Sequence, residues 1–516
     1  MGPEASGSDF PNNAWAGTPP TTLEALLPLL QPSTAPSLQS LSLRMLAGSA
    51  SWPVEAAQPQ QPGSGDVLTG IRIETLTTFG RNHAALALIR TVPPPPQMAD
   101  AAQVATDLAF LDGDLQGACN GITGPYANFA DTFWLEARLT CQILSGQNDA
   151  ATQALNALSG NTEIAPFLAL ATRALGGQAN MPDNLPAPQP LSLALVAKAG
   201  NGFPYRGLDG ASLSLLRAVA LTSGIYDDAR LLAAEKAAAY GALPASTLAA
   251  AYLALPVAPA DKASPIDAAS RHRDARGRAI LFQAAHDATD PSTRANLLAG
   301  FLAQAAQAGL YQVSAAAAAD LLVSIPVAPS LKPDAIDFAR ALYVLDRPDA
   351  ARPWLDLASQ SPLTAVQTRA VQSITVLAHI VGGPKAPDWT GFSLLPDGTN
   401  GNANTATVTK AALAAELLVA LGEPAPDTAL LSLLADNTAA GTSWPMPAAG
   451  PPLLLANAAA ANRLGGTVLA LLASLGGAGA GASPPQEAQA VAALRAVGLD
   501  EDARHLAIDA AVAAGY

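Results

Sequence analysis

One short phrase, repeated at a spacing of 33 residues, constrains the fold of this chain more than any other sequence feature. A glycine is followed five positions later by an alanine at Gly80–Ala85, Gly113–Ala118 and Gly146–Ala151. A constant period in the thirties is typical of stacked helical hairpins. Glycine tolerates the positive φ that ends a first helix, and the small alanine lets the second helix cross it closely. The repeat therefore predicts an all-α fold.

The same phrase recurs later in the chain without the fixed spacing. It is present at Gly224–Ala229 and Gly498–Ala503, with aspartate in the glycine position at Asp346–Ala351, and in a weaker form at Gly309–Ser314. The segments between these phrases have helical apolar periodicity, and none alternates as a strand does. Helices are predicted at Leu191–Lys198, Ser212–Leu221, Ala229–Tyr240, Arg278–His286, Arg294–Ala308, Asp334–Leu345 and Lys410–Leu421. We therefore expect an α-solenoid of stacked antiparallel helical hairpins.

The composition excludes several classes of partner. Aromatic residues are 5% and charged residues 13% of the chain, and the net charge is −14. A nucleic-acid binder needs a basic face, and an anionic membrane surface repels an acidic chain, so other proteins are the expected partners. The apolar run 466–482 is glycine-rich and marginal in length for a membrane span. We interpret it as a buried helix, Thr467–Leu475, followed by a flexible loop, and expect no membrane span.

The glycine-plus-alanine phrase resembles the turn between the two helices of a tetratricopeptide repeat. The resemblance extends over hairpins from Ile71 to Tyr516, and Trp134 falls near the position of the large aromatic residue of that family. It implies a TPR-like superhelix with a concave face that binds proteins.

The whole chain also resembles a poorly characterised set of Ala/Leu-rich proteins of alphaproteobacteria. The phrases that carry this resemblance are Asn13-Ala-Trp15-Ala-Gly-Thr, Ala118-Cys119, Trp134-Leu-Glu-Ala-Arg-Leu-Thr-Cys141, Ala234-Glu-Lys-Ala-Ala-Ala-Tyr-Gly-Ala-Leu-Pro244 and Gly498-Leu-Asp-Glu-Asp-Ala-Arg504. The resemblance implies a cell-envelope setting, which a disulfide would suit.

The two cysteines, Cys119 and Cys141, are predicted to lie on adjacent antiparallel helices. Cys119 follows a repeat glycine at the start of a second helix, and Cys141 is late in the next first helix. One interpretation is a structural disulfide in an oxidising compartment, closing a loop worth about 3 kcal/mol. The alternative is two buried free thiols that pack as small hydrophobic groups.

Two sets of residues are candidates for contact with a partner. The first is the basic cluster of Arg271, Arg273 and Arg276, which can grip a carboxylate-rich partner or can begin a solvated helix paired with neighbouring acids. The second is a set of aromatic residues in the irregular segments 382–407 and 437–452: Trp389, Phe392 and Trp444. They can anchor a partner or fold back into gaps between repeats.

No motif in the sequence indicates catalysis, a cofactor or a metal site. The chain has no Gly-x-Ser-x-Gly elbow, no phosphate-binding glycine loop and no closely spaced histidines. The acid groups Asp227-Asp228 and Asp500-Glu501-Asp502 are at repeat turns, where carboxylates favour helix N-termini. We therefore expect a protein that is not an enzyme. Ala/Leu-rich helical rings also occur in soluble lytic transglycosylases, which makes a peptidoglycan-associated protein the alternative.

We divide the chain into four segments: a flexible tail at 1–20, regular repeats at 21–176, irregular repeats at 191–381, and hairpins with long loops at 382–516. The hypothesis for function is a scaffold that binds other subunits of a bacterial cell-envelope assembly, such as a flagellar motor. The N-terminus shows no signal peptide, so a periplasmic location requires that a signal has been removed. A cytoplasmic location is the alternative.

Overall fold

The computed structural model describes residues 10–48, 64–91, 99–129, 131–177, 189–200, 208, 210–382, 405–423, 427, 431 and 450–516. This part of the chain is all-helical and contains no β-strand, which confirms the predicted all-α class. None of its helices is long and apolar enough to cross a membrane.

The α-helices of the first half are, in chain order, α1 (Pro20–Leu26), α2 (Pro36–Ala47), α3 (Ser64–Thr78), α4 (Asn82–Thr91), α5 (Ala99–Asp112), α6 (Leu115–Thr123), α7 (Thr132–Leu144), α8 (Asn148–Leu158), α9 (Ala165–Ala174), α10 (Pro190–Ala199), α11 (Leu213–Leu221), α12 (Asp227–Ala239) and α13 (Ala245–Ala254). Those of the second half are α14 (Pro259–Ala263), α15 (Pro265–Arg271), α16 (Ala275–Asp287), α17 (Pro291–Gln307), α18 (Tyr311–Ala317), α19 (Ala319–Ser324), α20 (Ala335–Val344), α21 (Pro348–Ala358), α22 (Ala365–Val381), α23 (Thr405–Ala420), α24 (Pro451–Ala460), α25 (Leu464–Leu475), α26 (Pro484–Ala496) and α27 (Asp500–Ala513). Short 3₁₀ helices span Leu27–Leu29, Pro329–Asp334 and Gly476–Gly481.

The seven helices predicted from periodicity are all present, with ends shifted by a few residues. The helix predicted at Thr467–Leu475 is α25, and a 3₁₀ helix follows it where a flexible loop was predicted.

The chain divides into two compact units that are interleaved along the sequence. The first unit contains Thr69–Val257, and the second combines the described residues up to Leu68 with Ala258–Tyr516. The predicted segments, by contrast, run consecutively from one end of the chain to the other.

The repeated phrase forms the same turn wherever its spacing is regular. Gly80, Gly113 and Gly146 have φ values of +69°, +82° and +74°. In each turn the amide of the next residue donates back over five residues, as Arg81 N does to the carbonyl of Leu76 at 2.8 Å. This bond closes a Schellman-type helix end and satisfies a carbonyl that the helix leaves free. The alanine five positions after each glycine is buried, so each of these turns is followed by a buried small residue.

The copies without fixed spacing adopt the same backbone conformation. Positive φ occurs at Gly224, Gly309 and Gly498 and at the aspartate variant, Asp346, with φ +52°. The residue five positions after the left-handed one is fully buried in three of these phrases, at Ser314, Ala351 and Ala503. In the fourth phrase this residue, Ala229, is half-buried. The same turn also occurs at positions that were not predicted: at Asn462, with φ +51°, and at Gly176, Gly241 and Gly422, none of which is followed by alanine five positions later.

Replacing Gly113 by alanine should lower the stability of the first unit by about 1 kcal/mol, because alanine at positive φ is strained. A Cβ at Gly113 would meet no atom within 4 Å, so the substitution isolates the backbone effect. The matched control is Gly70→Ala, an exposed position within α3 that also has open space around it. Alanine there should stabilise the unit by about 0.5–1 kcal/mol. Urea unfolding of both variants checks the opposite signs; a neutral or stabilising Gly113→Ala would contradict the assigned turn.

Packing in the first unit joins sequence neighbours and also more distant helices. Helix α5 contacts α4 and α6, and α7 contacts α6 and α8, as expected for consecutive hairpins. Helix α10 contacts α9 but also α5 and α7, and α11 contacts α5. Helices that are consecutive in the chain therefore contact each other, and further contacts join helices that are not consecutive.

Residues near the N-terminus pack within the second unit against helices from the far end of the chain. Helix α1 contacts α25, and α2 contacts both α25 and α27. Trp15 is buried, and the carbonyl of Ala14 accepts a 2.7 Å hydrogen bond from the amide of Gly465. A Cβ at Gly465 would lie 2.6 Å from the Trp15 ring, so this close approach requires glycine. The described part of the predicted tail, from Phe10 onward, is thus in contact with the core.

Candidate partner-contact surface and cysteine pair

The two cysteines lie on α6 and α7, which contact each other. Their Cα atoms are 5.5 Å apart and their sulfur atoms are at bonding distance. This separation falls in the range that a disulfide requires. The predicted proximity of Cys119 and Cys141 is therefore confirmed. Cys141 is buried, whereas Cys119 is half-buried at the edge of the same contact.

An aromatic cluster lies within the loop that the two cysteines bracket. Trp134 is fully buried, with its ring centroid 5.5 Å from that of Tyr126 and 5.1 Å from that of Phe129. Phe133 contacts the same indole edge-on, with centroids 5.0 Å apart. Arg138 donates a 2.8 Å hydrogen bond to the carbonyl of Phe129 and so holds the connection against α7. The α6–α7 connection is thus fixed by ring packing as well as by the cysteine pair.

Mass spectrometry of the unreduced, alkylated chain should find Cys119 and Cys141 joined. Replacing both by alanine should lower the unfolding free energy by about 3 kcal/mol, because a cross-link across 22 residues restricts the unfolded chain. The double substitution is compared in urea with the intact chain before and after reduction. Alkylated free thiols in native protein would contradict the disulfide and favour the cytoplasm.

The predicted basic cluster is centred on the junction of α15 and α16. Arg271 forms a 2.8 Å ion pair with Asp261. Asp274 caps α16 by accepting hydrogen bonds from the amides of Arg276 and Gly277, at 3.0 and 3.3 Å. Arg273 is exposed, and Arg276 is half-buried. The cluster is therefore partly a helix start with paired charges, and Arg273 is an exposed cation within it.

An apolar side chain and a further cation lie on the neighbouring turns. Ile266 on α15 is 51% exposed, and Lys262 on α14 is exposed. We call Lys262, Ile266, Arg271 and Arg273 the α15 patch. Helix α14 contacts both α15 and α16, which keeps these turns together. Exposed cations and an exposed aliphatic side chain therefore occur in one short stretch of the chain, together with the exposed carboxylates of Asp267 and Asp274.

The acid groups at the repeat turns lie where they were predicted, in the first turns of α12 and α27. Asp227 forms an i,i+3 pair with Arg230, and Asp500 pairs with Arg495. Asp502 has a further role, because its carboxylate is ion-paired with Arg44 of α2. Both side chains of that pair are largely buried.

Helices α26 and α27 each carry a buried carboxyl group that was not predicted from the sequence. Asp509 accepts a 2.8 Å hydrogen bond from the amide of Ser37 and a 2.7 Å bond from the side chain of Gln312. Burial raises the pKa of Asp509 to about 6. Glu487 on α26 is fully buried, and its carboxylate accepts a 3.2 Å bond from the amide of Ala482. Burial, with a contribution from the charge of Asp509, raises the pKa of Glu487 to about 8.

The remaining site predictions concern residues that the structure does not describe or groups that it does not bring together. Trp389, Phe392 and Trp444 lie outside the described residues. Within the described ranges, no group of three His, Cys, Asp or Glu side chains is placed to hold a metal ion. No family model, curated protein or solved structure matches this chain.

Proposed function

We propose that this chain is a non-catalytic helical-repeat scaffold that binds other proteins. The observation that carries the proposal is the recurrence of one turn geometry in both units, with a left-handed residue followed by a buried small residue. Hairpins built in this way stack into solenoids, and solenoids present extended surfaces to partners. A TPR-like superhelix is the arrangement that we propose for the hairpins.

We assign the scaffold to a bacterial cell-envelope assembly, such as a flagellar motor, in the periplasm. The cysteine pair at bonding distance supports this location, because disulfides persist in oxidising compartments. The resemblance to alphaproteobacterial proteins points in the same direction.

The contact face that we favour is the α15 patch. A photo-crosslinking amino acid at position 273, in the full chain in its native cell, should yield a reproducible adduct with another protein. The matched control is the same amino acid at Glu24, an exposed position on α1. The same adducts from both positions, or none from position 273, would argue against this face.

The scaffold proposal also predicts the outcome of a test for cell-wall cleavage. Purified protein incubated with peptidoglycan should release no soluble muropeptides. Sustained release that scales with protein concentration would replace the scaffold with an enzyme of the cell wall.

A further inference from the structure

Two arginine side chains lie near enough for their charges to interact where the first hairpin of the first unit packs against α11. Arg81 lies in the turn between α3 and α4, and Arg217 lies on α11. The hydroxyl of Ser214 donates a 2.5 Å hydrogen bond to the carbonyl of Thr77, and the Asn82 side-chain amide donates to the carbonyl of Ser214 at 3.4 Å. These two bonds fix the turn against the helix, so the positions of both arginines are set by the fold.

The carboxylate that pairs with Arg217 is also engaged by a second side chain. One oxygen of Asp112 is 3.3 Å from Arg217 Nη1, and the other is 3.0 Å from His83 Nδ1. Asp112 therefore balances the charge of Arg217 and also contacts the exposed imidazole of His83. Each of its two carboxylate oxygens already has a partner.

Within the described residues, Arg81 has no carboxylate that balances its charge as Asp112 balances that of Arg217. Its Nη1 is buried and has no hydrogen-bond partner anywhere in the described part of the chain. Burial, together with the charge of Arg217, lowers the pKa of Arg81 to about 10, so the guanidinium remains charged at neutral pH. A buried cation with an unused donor beside a second cation costs free energy unless an anion is bound.

The backbone adds further donors at the same place. Arg81 precedes Asn82, the first residue of the ten-residue helix α4. An arginine side chain contains donors only, so it cannot accept from the free amides of the first helical turn. Such amides and guanidinium groups favour the same ligand, a compact oxyanion with several acceptor oxygens.

We propose that Arg81, Arg217 and the first turn of α4 form a binding site for a phosphate group. Phosphate suits these donors better than a carboxylate does, because it offers more oxygens to donors that approach from different directions. The ligand enters beside His83, whose side chain is 81% exposed. This site does not depend on the scaffold function, since it is internal to the first unit.

Titration calorimetry of the full chain with inorganic phosphate, in Tris–chloride buffer, tests the proposal. The intact protein should bind one phosphate, and Arg81→Gln should weaken the affinity at least tenfold. The control is Arg173→Gln, which removes one partly exposed arginine from α9 of the same unit and should leave the affinity unchanged. Arg217→Gln provides a second variant in case Arg81→Gln does not fold, and it should also weaken binding.

Competition with phenyl phosphate distinguishes the source of the group. Displacement of inorganic phosphate assigns the site to phosphate monoesters, whereas failure to displace it assigns the site to the free anion; both outcomes support the proposal. Absence of saturable phosphate binding by the folded intact chain would overturn it. Equal affinity in the intact chain and in folded Arg81→Gln and Arg217→Gln would overturn it as well.

Discussion

Replacing Glu487 by glutamine should stabilise the second unit at pH 8.5 and remove much of the pH dependence of its stability. The Glu487 carboxyl is fully buried, and its pKa rises from 4.5 to about 8 in the folded chain. The folded state therefore binds this proton more tightly than the unfolded state does. The resulting stability is complete below about pH 4.5 and is lost as the pH rises through about 8. The loss is on the order of 4 kcal/mol by linkage.

Urea unfolding at pH 5, 6.5 and 8.5, followed by circular dichroism, measures this effect. Hydrogen exchange of the α26 and α27 amides assigns it to the second unit. The intact chain should be more stable at pH 5 than at pH 8.5, and Asp509 acts in the same direction because its pKa is also raised, to about 6. Glu24→Gln, at an exposed position on α1, is the control and should retain the pH dependence. A Glu487→Gln variant with an unchanged pH profile would show that this carboxyl is ionised in the folded protein at neutral pH.

Replacing Arg44 by methionine should lower the stability of the second unit by about 3–5 kcal/mol. The side chains of Arg44 and Asp502 are both largely buried. The change therefore leaves a buried Asp502 carboxylate without its ion-pair partner. It also removes the guanidinium that lies 4.9 Å from the ring centroid of Phe10.

The double substitution Arg44→Met, Asp502→Leu should recover most of this loss, because apolar residues often replace a buried ion pair without a large cost. Arg271→Met breaks the more exposed pair with Asp261 in the same unit and should cost no more than about 1 kcal/mol. The comparison uses urea unfolding at neutral pH. If the double variant were as unstable as Arg44→Met, packing or hydrogen bonds of Arg44, rather than its charge, would explain the effect.

The turns were predictable because a left-handed backbone is a local property of the residue that adopts it. Gly80 and Gly498 occur in recognisable phrases, and the conformation follows from the absence of a side chain. Asn462 occupies the same conformation, but a search for glycine does not find it. Asparagine is among the few other residues that visit this region, so a wider search would have recovered the turn.

The buried ionisable groups were not predictable from periodicity. Asp509 lies in a helix whose sequence reads as a solvated first turn followed by alanines, and its partner amide at Ser37 is 472 residues away. Nothing in a helical pattern specifies which remote donor will face a given carboxyl. By contrast, the proximity of Cys119 and Cys141 could be predicted from the sequence, because only one hairpin turn separates the two residues.

Because residues 10–47 pack against α25 and α27, some of their native contacts can form only when synthesis is nearly complete. Ser37 cannot meet Asp509 until nearly the whole chain has left the ribosome. At roughly 5–20 residues per second, about half a minute to a minute and a half separates the emergence of these two partners. During that interval the apolar faces of α1 and α2 lack their native contacts, whereas Thr69–Val257 belongs to a separate compact unit. Helices α1 and α2 can therefore complete their native packing only after the last helix has been made.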